Sequence, residues 1–208
     1  MENKIVFYLL LIGTLFCACQ EEKATGTDTL PILGFPTIEN GDTIHHKIPA
    51  FRFVNQDSQF VTNATFSDDI YIADFFFTAC PTICPKVKKQ MLRLYERYKD
   101  EPNVVLLSHT VDVKRDTVGR LKQYASNLDV VTERWQFVTG DHDEIYAIAD
   151  DYFSIARVDP NAPGGFDHSG RLILVDREGH VRAFCDGTSA TDVDALMLDV
   201  DKLLKEEV

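Results

Sequence analysis

The stretch Phe75-Phe-Phe-Thr-Ala-Cys80-Pro-Thr-Ile-Cys84-Pro85 joins the end of an apolar run to the start of a helix, with two thiols between them. Proline is tolerated in the first turn of a helix, because the N–H that it lacks has no partner there. The stretch therefore predicts a helix that begins near Cys84 and a strand-to-helix loop that contains Cys80. Since the positive end of a helix favours an anion, we expect a thiolate at Cys84.

Strong apolar patterns flank this stretch on both sides. Residues 70–77 are almost continuously apolar, which is typical of a strand that is buried on both faces. The predicted helix carries its apolar residues along one side, at Val87, Met91, Leu94 and Tyr98. The two thiols are therefore expected between a central strand and an amphipathic helix.

The rest of the chain continues this alternation of strands and helices. The patterns predict a β-hairpin within residues 49–61, strands over 104–113 and 135–138, helices capped by Asp116 and Asp141, a second hairpin over 171–185 and a closing helix over 191–205. Such an order implies a layered α/β fold, and the late hairpin adds antiparallel pairing. We predict a central mixed sheet flanked by helices, with an N-terminal β-hairpin; the order resembles a thioredoxin-like fold.

The N-terminal residues have the features of an export signal. The apolar run over residues 5–16 is shorter than the ~20 residues of a spanning helix and matches the apolar region of a secretory signal. A small residue directly before Cys19 resembles a bacterial lipoprotein cleavage box, with Cys19 as the lipidated residue; an uncleaved anchor and a buried helix are the alternatives. We predict a lipoprotein-type signal over 1–19, a flexible tether over 20–30 and one domain over 31–208.

The net charge of the chain limits the kinds of partner that we expect it to bind. A net charge of −12 argues against a nucleic-acid partner, because such proteins carry a basic footprint. It also indicates attachment to a membrane through a lipid rather than through a polybasic segment. We therefore predict an exported protein that is anchored to a membrane and faces the periplasm or the cell exterior, where disulfides persist.

The spacing of the two thiols leaves two kinds of chemistry open. Thioredoxin-type redox motifs usually place two residues between their cysteines, whereas three separate Cys80 from Cys84. Residues four apart on a helix hold their Cβ atoms ~5–6 Å apart and a disulfide needs ~3.5–4.5 Å, but a looped Cys80 closes that gap. The pair can therefore form a redox-active disulfide or chelate a soft metal such as Cu(I) or zinc, with a static disulfide as a third alternative.

A third donor would be needed for many metal sites, and six histidines are available. His168 lies in Gly164-Gly-Phe-Asp-His-Ser-Gly170, a flexible loop directly before a predicted strand, where functional sites are commonly built. We expect the other five to have surface or structural positions: His45, His46, His109, His142 and His180.

Several motifs together resemble the Sco/SenC family. They occur in the family's order at residues 76–85, 110–117, 167–169, 172–176 and 186–188. The resemblance covers the chain from about Pro49 onward. Members of this family have a thioredoxin-like fold, are anchored on the outer side of a membrane, bind copper through two cysteines and a histidine, and assist assembly of the dinuclear copper centre of cytochrome c oxidase. The resemblance implies that Cys80, Cys84 and His168 are copper ligands.

The function that this resemblance implies is that of a copper metallochaperone. The copper ion, as Cu(I) or Cu(II), would pass to the copper-centre subunit of cytochrome c oxidase. Because oxidised thiols cannot bind it, a separate thioredoxin-like reductant is expected as a second partner. A thiol–disulfide oxidoreductase that reduces the copper-ligand cysteines of the oxidase is the main alternative, and a redox or copper sensor is another.

Three further residues are candidates for supporting roles. Asp74 lies inside the apolar strand, where a carboxylate is costly unless it is paired or neutral, and it resembles the buried acid of thioredoxins. Two roles are open for Asp74: it shuttles protons for the thiol pair or tunes it, or it is a hydrogen-bonded acid at the end of the strand. Asp112 is a second candidate near the metal loop. Cys185 is predicted to be a small buried apolar residue.

Overall fold

The structure is a computed structural model that describes residues 29–206. The predicted signal over 1–19, with Cys19, lies outside the described residues, as does most of the predicted tether. None of the helices in residues 29–206 has the length and apolar character that are needed to cross a membrane.

Strands and helices alternate through the middle of the chain. The strands are β1 (Thr37–Glu39), β2 (Asp42–Ile44), β3 (Arg52–Asn55), β4 (Phe60–Thr62), β5 (Ile70–Phe76), β6 (Val104–Thr110), β7 (Trp135–Thr139), β8 (Ala156–Val158), β9 (Phe166–His168), β10 (Arg171–Val175) and β11 (Val181–Asp186). The helices are α1 (Cys84–Tyr98), α2 (Val118–Leu128), α3 (His142–Asp151) and α4 (Ala190–Glu206). Two single turns of 3₁₀ helix cover Asn63–Phe66 and Pro163–Gly165.

The main sheet has seven strands in the order β11-β10-β5-β6-β7-β3-β4. The three central strands, β5, β6 and β7, are parallel, and antiparallel hairpins extend the sheet on both sides. This arrangement confirms the predicted mixed sheet, its central apolar strand and the hairpin formed by β3 and β4.

Each face of the sheet buries its own apolar core. Along β5, Ile70, Ile72 and Phe76 pack with residues of α1, α2 and α4, whereas Tyr71 and Ala73 pack with residues of α3 and the N-terminal segment. All seven residues of β5 are buried, as expected of a central strand that is covered on both faces. Asp74 therefore lies on the face covered by α1, the helix that carries Cys84.

The carboxyl ends of β5, β6 and β7 meet at one edge of the sheet, and the chain then enters α1, α2 and α3 respectively. Ligand sites of open α/β sheets commonly lie at this edge. The cysteine loop between β5 and α1 is therefore at the edge where a site is expected.

Three details differ from the sequence-based predictions. The short ribbons β1–β2 and β8–β9 were not predicted, because their three-residue strands are too short to show an alternating pattern. The strand predicted over 104–113 ends at Thr110. The cap predicted at Asp141 is confirmed, whereas the cap of α2 is Thr117, whose hydroxyl accepts a hydrogen bond from the Arg120 N–H.

His109 is buried in an aromatic layer next to the central strand. Its side chain is inaccessible to solvent, and neither ring nitrogen has a hydrogen-bond partner among residues 29–206. The rings of Phe53, Phe75 and Tyr152 lie 5.7, 4.8 and 5.3 Å from its centroid. Burial lowers the pKa of His109 to about 3, so the imidazole is neutral in the folded protein.

We expect His109 to make the fold sensitive to acid. The unfolded chain takes up a proton on this histidine near pH ~6.5, and the folded chain does so only near its much lower pKa, so stability falls as the pH drops through that interval. Urea unfolding at about pH 5 should show a loss of about 2 kcal/mol from this group relative to neutral pH.

The variant His109→Phe should lose this part of the pH dependence, because phenylalanine fits the aromatic layer and has no proton to bind. The half-buried His142, which stacks on Tyr146 outside the aromatic layer, provides the matched control. His142→Phe should keep the wild-type dependence of unfolding free energy on pH. An unchanged slope in His109→Phe would show that His109 is not the acid-sensitive group.

Candidate metal centre

Three side chains with metal-binding atoms converge at the carboxyl edge of the sheet. Cys80 lies in the loop after β5, Cys84 is the first residue of α1, and His168 is the last residue of β9. The Sγ atoms of Cys80 and Cys84 lie 3.6 and 3.5 Å from Nε2 of His168. All three donor atoms lie within 4.8 Å of one another. The predicted ligand set is thus brought together, although its members are up to 88 residues apart in sequence.

His168 is oriented by the central strand. Its Nδ1 lies 3.1 Å from the carbonyl oxygen of Phe75, which only accepts hydrogen bonds, so Nδ1 carries the hydrogen. The lone pair of Nε2 therefore faces the two sulfurs. Burial lowers the pKa of His168, which keeps the imidazole neutral and able to donate that lone pair.

His168 lies in a short strand, not in the predicted flexible loop. β9 pairs with β8, and Ala156 faces His168 across this ribbon. At Gly164 the backbone has φ +85°, and a Cβ there would lie 2.7 Å from the ring of Phe77. Glycine at this position therefore lets the ribbon that carries His168 close against the cysteine loop.

The two thiols have different environments, and the prediction of a thiolate at Cys84 is wrong. Burial opposes ionisation of Cys80, but hydrogen bonds to its sulfur from the backbone N–H groups of Thr82 and Cys84 outweigh burial and lower its pKa. Burial raises the pKa of Cys84 well above its ordinary value. The N–H groups at the start of α1 thus stabilise the preceding Cys80, while the side chain of Cys84 turns into the core.

Asp116 anchors the cysteine loop, although the sequence indicated only a helix cap. Its carboxylate is almost fully buried and accepts hydrogen bonds from the backbone N–H of Thr78 at 2.9 Å, the Thr78 hydroxyl at 2.5 Å and the Thr110 hydroxyl at 2.7 Å. Nε of Arg120 donates to the same Thr78 hydroxyl at 2.6 Å. The start of α2 is therefore tied to the loop two residues before Cys80.

Removing this carboxylate should destabilise the fold strongly. In Asp116→Ala, two hydroxyls and a backbone N–H lose their acceptor in a buried place, so we expect a loss of about 3 kcal/mol or more in urea unfolding. Asp141→Ala, which removes an ordinary helix cap, should cost about 1 kcal/mol. Equal losses in the two variants would show that Asp116 is no more than a cap.

Asp74 lies beside the Cys80–Cys84–His168 cluster and belongs to a buried hydrogen-bond chain. The Ser108 hydroxyl donates to Oδ1 of Asp74, and the indole N–H of Trp135 donates to the Ser108 oxygen at 2.9 Å. Asp74 also lines a narrow cavity together with Cys84 and His168. Burial raises the pKa of Asp74 to about 7, an effect that the Ser108 hydrogen bond opposes.

The other candidate residues from the sequence lie away from the three donor atoms. Asp112 lies outside the Cys80–Cys84–His168 cluster and accepts a hydrogen bond from the backbone N–H of Arg115 at 3.3 Å. Cys185 is half-buried against the core under α1, α2 and α4, and burial raises its pKa to about 12. The remaining histidines, all within the described residues, lie outside the cluster: His45, His46, His109, His142 and His180.

Fold and site together define a class: thioredoxin-like proteins in which a cysteine pair at the start of a helix meets a histidine from a distant strand. The family model described as SCO1/SenC matches residues 40–205 of this sequence. The chain therefore belongs to the SCO1/SenC family.

Solved structures of the family resemble this chain over most of its length. A SCO1/SenC family lipoprotein from Bacillus anthracis is 27% identical, with 76% of this chain and 95% of that chain covered and a TM-score of 0.69. BsSco, described as having a disulfide switch and as a member of the Sco family of cytochrome c oxidase assembly proteins, is 30% identical, with 76% and 93% covered and a TM-score of 0.67. Arabidopsis thaliana ScoI with copper bound is 26% identical, with 76% and 98% covered and a TM-score of 0.63.

Proposed function

We propose that this protein binds one copper ion through Cys80, Cys84 and His168 and supplies it to the dinuclear copper centre of cytochrome c oxidase. The observation that carries this proposal is the convergence of two thiols and a neutral imidazole within 4.8 Å. Two relatives support it: Arabidopsis thaliana ScoI, solved with copper bound, and BsSco, described as belonging to a family of oxidase assembly proteins.

The donor set suits a copper ion that must later be released. With sulfur-to-nitrogen distances of 3.5 and 3.6 Å, a central ion would lie roughly 2–3 Å from each donor, which is the range of metal–thiolate and metal–imidazole bonds. Soft thiolates favour Cu(I), and imidazole also suits Cu(II). Three protein ligands leave a coordination position open to a ligand of the receiving protein.

The binding site would be controlled by the redox state of Cys80 and Cys84. If the two thiols form a disulfide, both sulfur donors are lost, so copper loading requires the reduced pair. A thioredoxin-like reductant would regenerate that pair. Asp74, which shares a cavity with Cys84, would serve as a proton acceptor when Cys84 ionises.

The role of Asp74 is tested by Asp74→Asn, which keeps the shape of the side chain but cannot accept that proton. We expect a changed reduction potential of the cysteine pair and a changed pH dependence of Cys84 reactivity. If both are the same as in the wild type, Asp74 is only a hydrogen-bonded strand residue.

A thiol–disulfide reductase is the second candidate, and the difference between the two thiols favours it. The more accessible Cys80, with its lowered pKa, would attack a disulfide of the target and form a mixed disulfide. Cys84 would then lose its proton and attack Cys80, which releases the target as a dithiol and leaves the Cys80–Cys84 disulfide. Two electrons pass from the protein to the target, and no metal is needed.

A copper titration separates the two functions. Reduced protein should bind one Cu(I) ion per chain in competition with a chromophoric chelator, and oxidised protein should bind far more weakly. Metal-free reduced protein is then mixed with a disulfide peptide taken from the oxidase copper site. Absence of stoichiometric copper binding, together with fast peptide reduction, would replace the chaperone proposal by the reductase.

We also propose that the protein is exported as a lipoprotein anchored at Cys19, with residues 20–30 as the tether. The related lipoprotein from Bacillus anthracis supports this proposal. The variant Cys19→Ser should move the protein from the membrane fraction to the soluble fraction. An unchanged membrane fraction would contradict lipid anchoring at this residue.

A further inference from the structure

A cluster of basic side chains borders the metal-binding site, although the chain as a whole has a net charge of −12. We call this cluster the basic rim. It lies in the first turns of α1, at the β6–α2 connection and in the first turn of α2, and it consists of Lys86, Lys88, Lys89, Lys114, Arg115 and Arg120. All are exposed to solvent except Lys88, which is half-buried.

Contacts place the rim beside the cysteine loop. Arg120 donates to the Thr78 hydroxyl at 2.6 Å, and Lys86 follows Cys84 by two residues. The ammonium of Lys88 lies 5.8 Å from the ring centroid of Tyr124, which joins the α1 part of the rim to α2. Arg120 and Lys86 therefore border the loop that contains Cys80.

The position of these charges contradicts the usual electrostatics of helices. Acidic residues stabilise the first turn of a helix and basic residues there cost about 0.3–1 kcal/mol each. α3 follows this rule with Asp143 and Glu144, and α4 follows it with Asp192. α1 and α2 have no acidic residue in their first turns, and α1 has lysines there and directly after. The chain thus breaks the rule at the two helices that flank the site.

Internal ion pairs do not explain the lysines of the rim. Farther along α1, Arg93 and Arg97 pair with Asp194 and Asp201 of α4. Within residues 29–206, no carboxylate lies within 4.0 Å of the ammonium of Lys86, Lys89 or Lys114, although the charge of Lys86 helps to lower the pKa of Asp186. Arg115 and Arg120 pair with buried carboxylates. The charges of Lys89 and Lys114 are therefore available to a partner, and that of Lys86 is shared with Asp186 without a direct ion pair.

Direct contact with the thiols does not explain the lysines either. The Cys80 sulfur lies 3.8 Å from the Thr82 hydroxyl, and both sulfurs lie within 3.6 Å of Nε2 of His168. Among residues 29–206, no lysine of the rim forms a hydrogen bond with either sulfur.

We propose that the basic rim docks an acidic protein surface that surrounds the cysteines to which this site delivers copper or electrons. This proposal rests on the proposed function and adds the chemistry of the partner. A protein surface fits the rim better than an anionic bilayer does. A bilayer is a large negative surface and repels a chain of net charge −12. A local acidic patch on a protein interacts only with the charges of the rim, because screening limits its reach to a Debye length of ~8 Å. Such complementarity raises association rates, and salt screens the effect.

The test uses two synthetic peptides, each with an internal disulfide between two cysteines, flanked in one by glutamates and in the other by lysines. Reduced, metal-free protein transfers two electrons and two protons to the peptide disulfide, and the protein disulfide and the peptide dithiol are formed. Rates are measured by stopped flow as a function of salt. Where exchange is too slow to follow, fluorescence anisotropy of the same labelled peptides gives the comparison as binding.

We expect the wild-type protein to prefer the acidic peptide by about 10-fold or more at low salt, with the preference disappearing as salt is raised. The rim variant Lys86→Glu/Lys89→Glu/Lys114→Glu should prefer the basic peptide. The control variant Lys47→Glu/Lys99→Glu/Lys205→Glu makes the same change of charge away from the site edge and should keep the wild-type preference.

Two results would overturn the proposal. One is equal peptide preference in the rim variant and the control variant. The other is binding of wild-type protein to phosphatidylglycerol vesicles through the rim, without any preference between peptides, which would assign the rim to a membrane. Cu(I) affinity is measured on the same variants, so a failure of docking is distinguished from a failure of copper binding.

Discussion

Replacing Cys84 with serine is expected to lower the Cu(I) affinity of the reduced protein by at least about 10³-fold. Changes to groups that merely orient a metal ligand typically cost 10–100-fold in affinity, and Cys84 would contact the ion directly. Serine keeps nearly the same volume at this buried position, but its hydroxyl is a hard, protonated donor that Cu(I) does not favour. Competition with a chromophoric Cu(I) chelator measures the change.

Cys185→Ser is the matched control, because Cys185, the third cysteine within residues 29–206, lies outside the Cys80–Cys84–His168 cluster. Its Cu(I) affinity should stay within about twofold of the wild type. Urea unfolding of both variants checks that the fold is intact. If Cys84→Ser binds Cu(I) as tightly as Cys185→Ser, then Cys84 is not a ligand.

Alkylation of the metal-free, reduced protein should be highly selective for Cys80. At neutral pH, iodoacetamide should modify Cys80 about 100-fold faster than Cys84 or Cys185, because only the thiolate reacts and each pKa unit changes its fraction about tenfold. The pKa is lowered at Cys80 by hydrogen bonds that outweigh burial, and it is raised by burial at the other two. Mass spectrometry of digested protein gives the three rates.

The labelling rates of Cys80 and Cys84 should also depend differently on pH. Cys80 labelling should begin to rise at a lower pH than that of an ordinary cysteine, and Cys84 labelling should stay slow into the alkaline range. Protein unfolded in urea should label all three cysteines at similar rates, which is the control for intrinsic reactivity. Faster labelling of Cys84 than of Cys80 in the folded protein would contradict the assignment of the nucleophilic thiol.

The parts of the fold that the sequence predicts well are those set by local patterns. The apolar run over 70–77 can be satisfied only by burial on both faces, and Pro85 can begin a helix but cannot lie within it. Both features are independent of the rest of the chain. The proximity of His168 to the cysteines was expected from the family resemblance, and the structure supplies its cause, the Phe75 carbonyl that orients the ring.

The parts that the sequence does not predict depend on contacts between distant residues. Asp116 has the spacing of a helix cap, and only the packing of the cysteine loop against β6 shows that its carboxylate holds Thr78 and Thr110. The general preference of helix N-termini for anions suggested Cys84 as the thiolate. The path of the loop decides which of the two sulfurs faces the N–H groups and which faces the core. It places the Cys80 sulfur at the N–H groups and the Cys84 sulfur in the core, so Cys80 is the thiol with the lowered pKa.

The most direct test of the central claim is X-ray absorption at the copper edge of the copper-loaded protein. The claim that Cys80, Cys84 and His168 hold one copper ion predicts a first shell of two sulfur atoms and one imidazole nitrogen. In His168→Ala the nitrogen shell should disappear while both sulfurs remain, and in His142→Ala the spectrum should not change. A first shell without sulfur, or an imidazole signal that persists in His168→Ala, would contradict the claim.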